Sequence, residues 1–103
     1  MSPDIGLARE YKRRVVDAFH DRVAKVVLFG SRARGGARPD SDWDIAVFLK
    51  DAPTLDDRYR LTDLGTDLLV DTGEVIQSIA LPLQREGEAS HLMQEIRSDG
   101  IAL

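Results

Sequence analysis

Apolar side chains recur every three or four positions in three segments of the chain, the spacing that places them on one face of an α-helix. The first predicted helix covers residues 4–21, with the helix-starting residues Ser-Pro-Asp at positions 2–4. The second runs from the N-cap residue Thr54 to about Asp71. The third covers roughly residues 86–98.

Shorter runs rich in valine, isoleucine and phenylalanine predict three strands: Val23–Phe29, Trp43–Leu49 and Glu74–Leu81. The first two are joined by some thirteen residues, 30–42, in which a short helix is predicted to begin near Ser31. Connections of this length in compact domains are often functional. The order α-β-(short α)-β-α-β-α predicts an α/β (α+β) domain with helices packed on a small sheet in two or three layers.

The composition narrows the classes of function. At 103 residues, 43% of them hydrophobic, the chain is predicted to form a single domain over residues 1–103. It has no cysteine and two histidines, which excludes thiolate zinc sites and cysteine nucleophiles and disfavours histidine-rich metal sites. No segment resembles a signal peptide or a membrane span, so we expect a soluble cytoplasmic protein. The net charge of −4 argues against direct nucleic-acid binding.

The connection between the first two strands carries the candidate chemistry. Gly30 and Ser31 directly follow a strand, where a glycine lets the backbone approach a phosphate and a helix start favours negative charge. Asp42 and Asp44 lie two apart at the start of the next strand, so their carboxylates face the same side, about 6.5–7 Å apart at Cα. Two adjacent carboxylates with a phosphate substrate indicate Mg²⁺. The alternative to a metal site is a turn cap, in which Asp40 and Ser41 hold the loop and Asp44 is solvated at a strand edge.

In combination, GSRARG at residues 30–35 and SDWD at residues 41–44 resemble the GSxARG…SDxD signature of the polymerase-β-like nucleotidyltransferase superfamily. The short chain is similar to the minimal nucleotidyltransferases (MNT) of that group. The resemblance implies a mixed β-sheet flanked by helices. It also implies MgATP or another nucleoside triphosphate as substrate, and transfer of a nucleotidyl group to an acceptor hydroxyl.

The resemblance also implies roles for particular residues. Gly30 and Ser31 would bind the triphosphate, and Asp42 and Asp44 would be the catalytic pair of a two-metal Mg²⁺ site. Arg34 would contact phosphate or acceptor. Two other arginines of the connection, at positions 32 and 38, are at least as well explained as solvated loop residues.

One position departs from the family pattern. Active members present a third carboxylate on the strand that follows the second helix, where this chain reads EVIQSIAL over residues 74–81. The expected position holds Gln77 or a neighbour, and Glu74 could serve as a metal ligand only if the strand's register begins early. A glutamine cannot act as a general base and is a weak, neutral metal ligand.

Two functions follow from the resemblance. The first is an enzyme that transfers AMP from ATP to a protein hydroxyl, with a cognate HEPN-domain toxin as the acceptor and the present chain as its antitoxin. The alternative is a catalytically weak or inactive binding module that neutralises the partner by occlusion. A nucleic-acid polymerase or tailing enzyme is disfavoured by the acidic charge and the lack of a basic groove.

Overall fold

The computed structural model describes residues 4–103, so the helix-start residues Ser2 and Pro3 lie outside the described part of the chain. The principal elements alternate along the chain. They are α1 (Gly6–Phe19), β1 (Val23–Phe29), α2 (Ser31–Arg34), β2 (Trp43–Leu49), α3 (Leu55–Thr72), β3 (Ile76–Pro82), α4 (His91–Asp99) and β4 (Ile101–Ala102). Short 3₁₀ turns at His20–Arg22 and Leu83–Gly87 complete the described part.

The four strands form one mixed sheet in the order β3-β2-β1-β4. β1 is antiparallel to both β2 and β4, whereas β2 and β3 run parallel. The parallel pair is the one that the long helix α3 connects, as a crossover requires. The sheet therefore agrees with the mixed α/β fold expected from the resemblance.

Alternating residues of the strands face two separate apolar layers. On one face, Ile45 and Val47 of β2 pack with α1 and α3, and Tyr11 of α1 is fully buried there. On the other face, Ala46 and Phe48 pack against α4 through Met93 and Ile96. The fold is therefore a three-layer sandwich in which β2, at the centre, is buried on both sides and presents its N-terminal end at the edge of the core.

Helices α1 and α3 pack as their sequences predict, and α3 also begins after its predicted cap residue Thr54. The Tyr11 hydroxyl donates to the carbonyl of Leu61 at 3.0 Å, and burial raises the pKa of Tyr11 to about 12. Thr54 and Asp57 form a reciprocal capping box, with the Asp57 N–H donating to the Thr54 hydroxyl at 3.1 Å. Gly73 ends α3 in the left-handed conformation, at φ 79°.

Several boundaries differ from those predicted. Helix α1 covers Gly6–Phe19 rather than residues 4–21. The last helix begins at His91 rather than at residue 86, because the Ser90 hydroxyl caps it by accepting from the Met93 N–H at 3.3 Å. Strand β3 begins at Ile76, two residues after the predicted start. The two-residue strand β4 was not predicted, since it forms only by pairing with β1, which is distant in sequence.

Candidate functional site

The turn after β1 places a backbone surface directly beside a carboxylate. Gly30 is buried and adopts φ 75°, a conformation that favours glycine, and it caps the short helix α2. A β-carbon at Gly30 would overlap the Asp44 carboxylate oxygen Oδ2. Ser31 is the first residue of α2, whose leading N–H groups have no partner within the helix. The two predicted halves of the site, Gly30-Ser31 and Asp44, are thus adjacent in space.

Asp44 lies between two neighbouring strands, opposite Phe29 of β1 and Gln77 of β3. Its pKa is raised, first by burial and then by repulsion from the carboxylates of Asp42 and Glu95, with a partial offset from an arginine on α2. A positive charge beside Asp44 would therefore stabilise its ionised form.

The third-acid position expected from the family pattern is occupied by Gln77. Its amide Nε2 donates to Oδ2 of Asp42 at 2.8 Å, and its backbone is in register with Asp44. Gln77 thus contacts both predicted acids: its side chain hydrogen-bonds Asp42, and its backbone pairs with Asp44. The pairing of β3 with β2 therefore places Gln77, and not Glu74, beside the two acids.

Glu74, the other candidate for this role, precedes β3 and lies elsewhere. Its carboxylate accepts from the indole Nε1 of Trp43 at 2.7 Å and pairs with Arg32 at 3.6 Å. Trp43 belongs to the core layer on the α1 and α3 side of the sheet, the face opposite to that of its neighbour Asp44. We therefore leave Glu74 out of the site.

Arg34 is held by two acids of α4 that the sequence reasoning missed. Its Nη1 lies 3.0 Å from Asp99 Oδ2 and 3.8 Å from Glu95 Oε1. The two acids are four residues apart and so share one helix face. The spacing is visible in the sequence, but the sequence does not show that this face lies against Arg34. The arrangement positions Arg34 close enough to lower the pKa of Asp44.

The other two arginines of the connection do not converge on the carboxylate pair. Arg32 stacks on the Trp43 ring at 4.3 Å and donates to the Ser41 carbonyl at 2.8 Å, which closes the loop. The side chain of Arg38 is exposed, and its N–H donates to the Ser41 hydroxyl at 3.0 Å. Arg32 therefore has a structural role in shaping the loop, and Arg38 stays at the surface.

The acids present fit a cation that brings its own ligands. Within residues 4–103, no group of three or more His, Cys, Asp or Glu side chains converges closely enough to hold a metal ion. Asp42 and Asp44 supply two carboxylates, and Mg²⁺ commonly binds through one or two carboxylates with substrate phosphates completing its shell. The donor set thus fits Mg²⁺ in company with a nucleoside triphosphate.

None of the helices within residues 4–103 is long and apolar enough to cross a membrane.

Comparison with protein families finds one match over most of the chain. The model described as polymerase beta, nucleotidyltransferase matches residues 15–103. The protein MJ0141 of Methanocaldococcus jannaschii, named as a candidate protein adenylyltransferase, is 31% identical over 62 residues, which are 60% of this chain and 63% of that relative. The alignment therefore spans less than two thirds of the relative's length.

Two solved structures illustrate the shared fold. A candidate minimal nucleotidyltransferase superposes with a TM-score of 0.63 at 29% identity, covering 97% of this chain and 96% of the other. A chain from the complex of a tri-AMPylated HEPN toxin with an MNT antitoxin, from Shewanella oneidensis, superposes with a TM-score of 0.56 at 20% identity. That second match covers 93% of this chain and 68% of the other, and at this identity it shows the fold alone.

Proposed function

Since the chain belongs to the polymerase-β nucleotidyltransferase family, we propose that it transfers AMP from ATP to a hydroxyl group of a protein, in the cytoplasm, with Mg²⁺. In this reaction the hydroxyl oxygen bonds to the α-phosphorus, pyrophosphate leaves, and the hydroxyl proton is released to water. The observation that carries the proposal is the contact between the Gly30 backbone and the Asp44 carboxylate, because it joins a phosphate-binding turn to a cation-binding pair.

Each residue of the site has a defined task in this proposal. Gly30 and Ser31 bind the triphosphate through the backbone and a hydroxyl. Asp42 and Asp44 hold Mg²⁺, which when bound supplies positive charge to the phosphate oxygens. Arg34, positioned by α4, neutralises negative charge that develops on the phosphates during transfer. We treat residues 1–103 as one nucleotidyltransferase domain in this proposal.

We further propose that the acceptor is a HEPN-type toxin and that the chain acts as its antitoxin. Support comes from the fold shared with an MNT antitoxin that is bound to a tri-AMPylated HEPN toxin, and from the adenylyltransferase name of MJ0141.

A second candidate function is neutralisation by occlusion, without turnover. The position of Gln77 favours it, since the amide bonded to Asp42 cannot take the proton of the acceptor hydroxyl. An antitoxin of this kind would bind its partner and ATP but modify nothing.

One experiment separates the two functions. The chain is incubated with MgATP and the HEPN-type protein encoded beside it, and the intact mass of that protein is measured. An AMP-sized increase that disappears in the double variant Asp42→Asn/Asp44→Asn supports the transferase. Asp63→Asn, at an exposed position of α3, is the matched control and keeps the increase. Neutralisation of the toxin with no mass increase, unaffected by the double variant, rejects the transferase in favour of occlusion.

A further inference from the structure

The position of Gln77 within the sheet bears on how many cations the site can hold. In the parallel pairing of β2 and β3, Gln77 lies directly beside Asp44, and paired residues of a sheet present their side chains on the same face. Gln77 therefore lies at the place from which a third acid would complete a two-cation site.

The chemistry of the Gln77 amide is opposed to a cation at this place. Its Nε2 group donates a hydrogen bond to Asp42 Oδ2 at 2.8 Å, which occupies one acceptor direction of that oxygen. The donating NH₂ group carries partial positive charge, and it adds no formal negative charge to the pair. Asp42 is thereby held in place, and its carboxylate keeps further acceptor positions for a cation.

No other acid takes the place of the third carboxylate. Asp99 of α4 pairs with the guanidinium of Arg34 at 3.0 Å, and Glu95, which is near enough to Asp44 to repel it, lies 3.8 Å from the same guanidinium. Glu74 is bonded to the Trp43 indole on the opposite side of β2. Within residues 4–103 the acids do not form a group of three around any common point. A second cation would thus have only the carboxylates already shared with the first.

We infer that this site binds a single divalent cation with each nucleotide, held by Asp42 and Asp44. Gln77 acts as the positioning residue that orients Asp42 and excludes a second cation. This inference rests on the proposed function, and it departs from the two-metal site that family resemblance implies. A two-metal site places its ions about 3.5–4 Å apart between carboxylates. Here the amide of Gln77 stands where the third carboxylate is expected.

The test counts bound metal rather than product. The chain is saturated with a non-hydrolysable ATP analogue, methylene-bridged between the α- and β-phosphates, and titrated with Mn²⁺. Bound Mn²⁺ is measured by electron paramagnetic resonance and by calorimetry. Gln77→Glu replaces the amide with a carboxylate of the same length, and Gln77→Asp provides a second, shorter acid. Gln84→Glu, at an exposed position beyond the end of β3, makes the same chemical change away from the site.

We expect one Mn²⁺ per nucleotide complex in the unmodified chain and in Gln84→Glu, with a spectrum of isolated ions. We expect two in Gln77→Glu or Gln77→Asp, with the spin–spin coupling of neighbouring ions. Two coupled ions in the unmodified chain would overturn the inference and leave the proposed function standing. One ion in both folded Gln77 variants would overturn the role given to Gln77. Absence of both nucleotide and Mn²⁺ binding from the unmodified chain would reject the proposed function itself, and this inference with it.

Discussion

The α-carbon of Gly30 faces the carboxylate of Asp44 with no room for a side chain between them. The contact arises because the residue before Gly30, Phe29, is the antiparallel partner of Asp44, so the turn leaving β1 folds back over the start of β2. One pairing register thus sets the distance between the turn proposed to bind phosphate and the carboxylates proposed to bind the cation. The same glycine also adopts φ 75° and ψ −159°, a conformation almost confined to glycine that costs other residues about 1–3 kcal/mol.

Gly30→Ala should therefore damage the site as well as the fold. The new β-carbon would overlap Asp44 Oδ2 and push the carboxylate away from the turn. We expect affinity for the ATP analogue, measured by calorimetry with Mg²⁺, to fall at least about tenfold, which corresponds to roughly 1.4 kcal/mol. Gly36→Ala is the control, because no atom lies within 4 Å of a β-carbon there. Equal affinity in both variants would contradict the contact.

Removing the charge of Asp44 should stabilise the free protein. Its folded-state pKa is raised by burial and by the neighbouring acids, so the ionised form is less favourable in the folded chain than in the unfolded one. That destabilisation is present at neutral pH and vanishes as the pH falls below the unfolded value of about 3.9. Asp44→Asn should then melt at a higher temperature than the unmodified chain at pH 7, with the difference shrinking toward pH 4.

Thermal melts across this pH range, without metal or nucleotide, check the sign for Asp44. The control is Asp63→Asn, an exposed residue for which we expect little change at any pH. A lower melting temperature for Asp44→Asn at pH 7 would show that the ionised carboxylate stabilises the fold. Adding the Mg²⁺–nucleotide complex should raise the melting temperature of the unmodified chain above that of Asp44→Asn, because only the unmodified chain gains stability from tight binding.

Arg34 is expected to neutralise charge on the phosphates, held in position by Asp99 of α4. Asp99→Asn removes the charged partner at 3.0 Å and leaves the arginine free to leave the site. We expect Arg34→Gln to lower AMP transfer by about 10²–10³-fold, typical of a lost charge-stabilising donor, and Asp99→Asn to lower it by a smaller factor. Transfer rates by intact mass measure both. Arg38→Gln, in the same loop with an exposed side chain, should retain the unmodified rate.

The ion pair between Asp57 and Arg22 should dominate the acid sensitivity of the fold. Asp57 is buried, accepts from Arg22 at 2.7 and 2.9 Å, and has a pKa well below its ordinary value, chiefly because of the arginine. Breaking such a pair costs about 3–5 kcal/mol when both partners are buried. Because the Arg22 side chain is 36% exposed, we expect about 2 kcal/mol for Asp57→Ala in urea unfolding, after discounting for solvent screening.

The pH dependence of that loss follows from the lowered pKa of Asp57. Its contribution is complete above the unfolded value of about 3.9 and is lost as the pH falls through the lower folded value. The gap between the unmodified chain and Asp57→Ala should accordingly narrow below about pH 4. Asp56→Ala, one residue earlier in the same helix turn and exposed, is the control. A gap that stays constant down to pH 2 would contradict the charge pair as its cause.

Glu74 should be dispensable for metal binding. Its carboxylate is bonded to the indole of Trp43, and a glutamine oxygen accepts the same hydrogen bond. We therefore expect Glu74→Gln to bind Mn²⁺ with the nucleotide analogue within about twofold of the unmodified affinity, where twofold is roughly 0.4 kcal/mol. Loss of a Mn²⁺ ion in this variant would return Glu74 to the site.

Local signals predicted most of the elements. Strands β1 and β2 agree with their predicted limits because each is a dense β-branched and aromatic run bounded by turn residues. Helix α3 follows from its capping box, which involves residues only three apart. The last helix was predicted too long because the apolar spacing continues upstream of Ser90, whose hydroxyl begins the helix.

The candidate site was predictable only in its sequence-local half. The turn at Gly30 and the carboxylates at Asp42 and Asp44 lie within residues 30–44, and a β-strand's two-residue period predicts that the two carboxylates face the same side. The choice between Glu74 and Gln77 depended on the register of β3 against β2, which a residue pattern does not encode. The ion pair of Arg34 with Asp99 of α4 joins residues 65 positions apart, so only the tertiary structure reveals it.

Gln77 also has a genetic consequence. Both glutamine codons become glutamate codons when their first base changes from C to G, and the two side chains have the same length. One base therefore separates the two metal stoichiometries inferred for this site. A lineage that carries this gene could gain or lose a third acid by a single point mutation while the sheet that presents it stays folded.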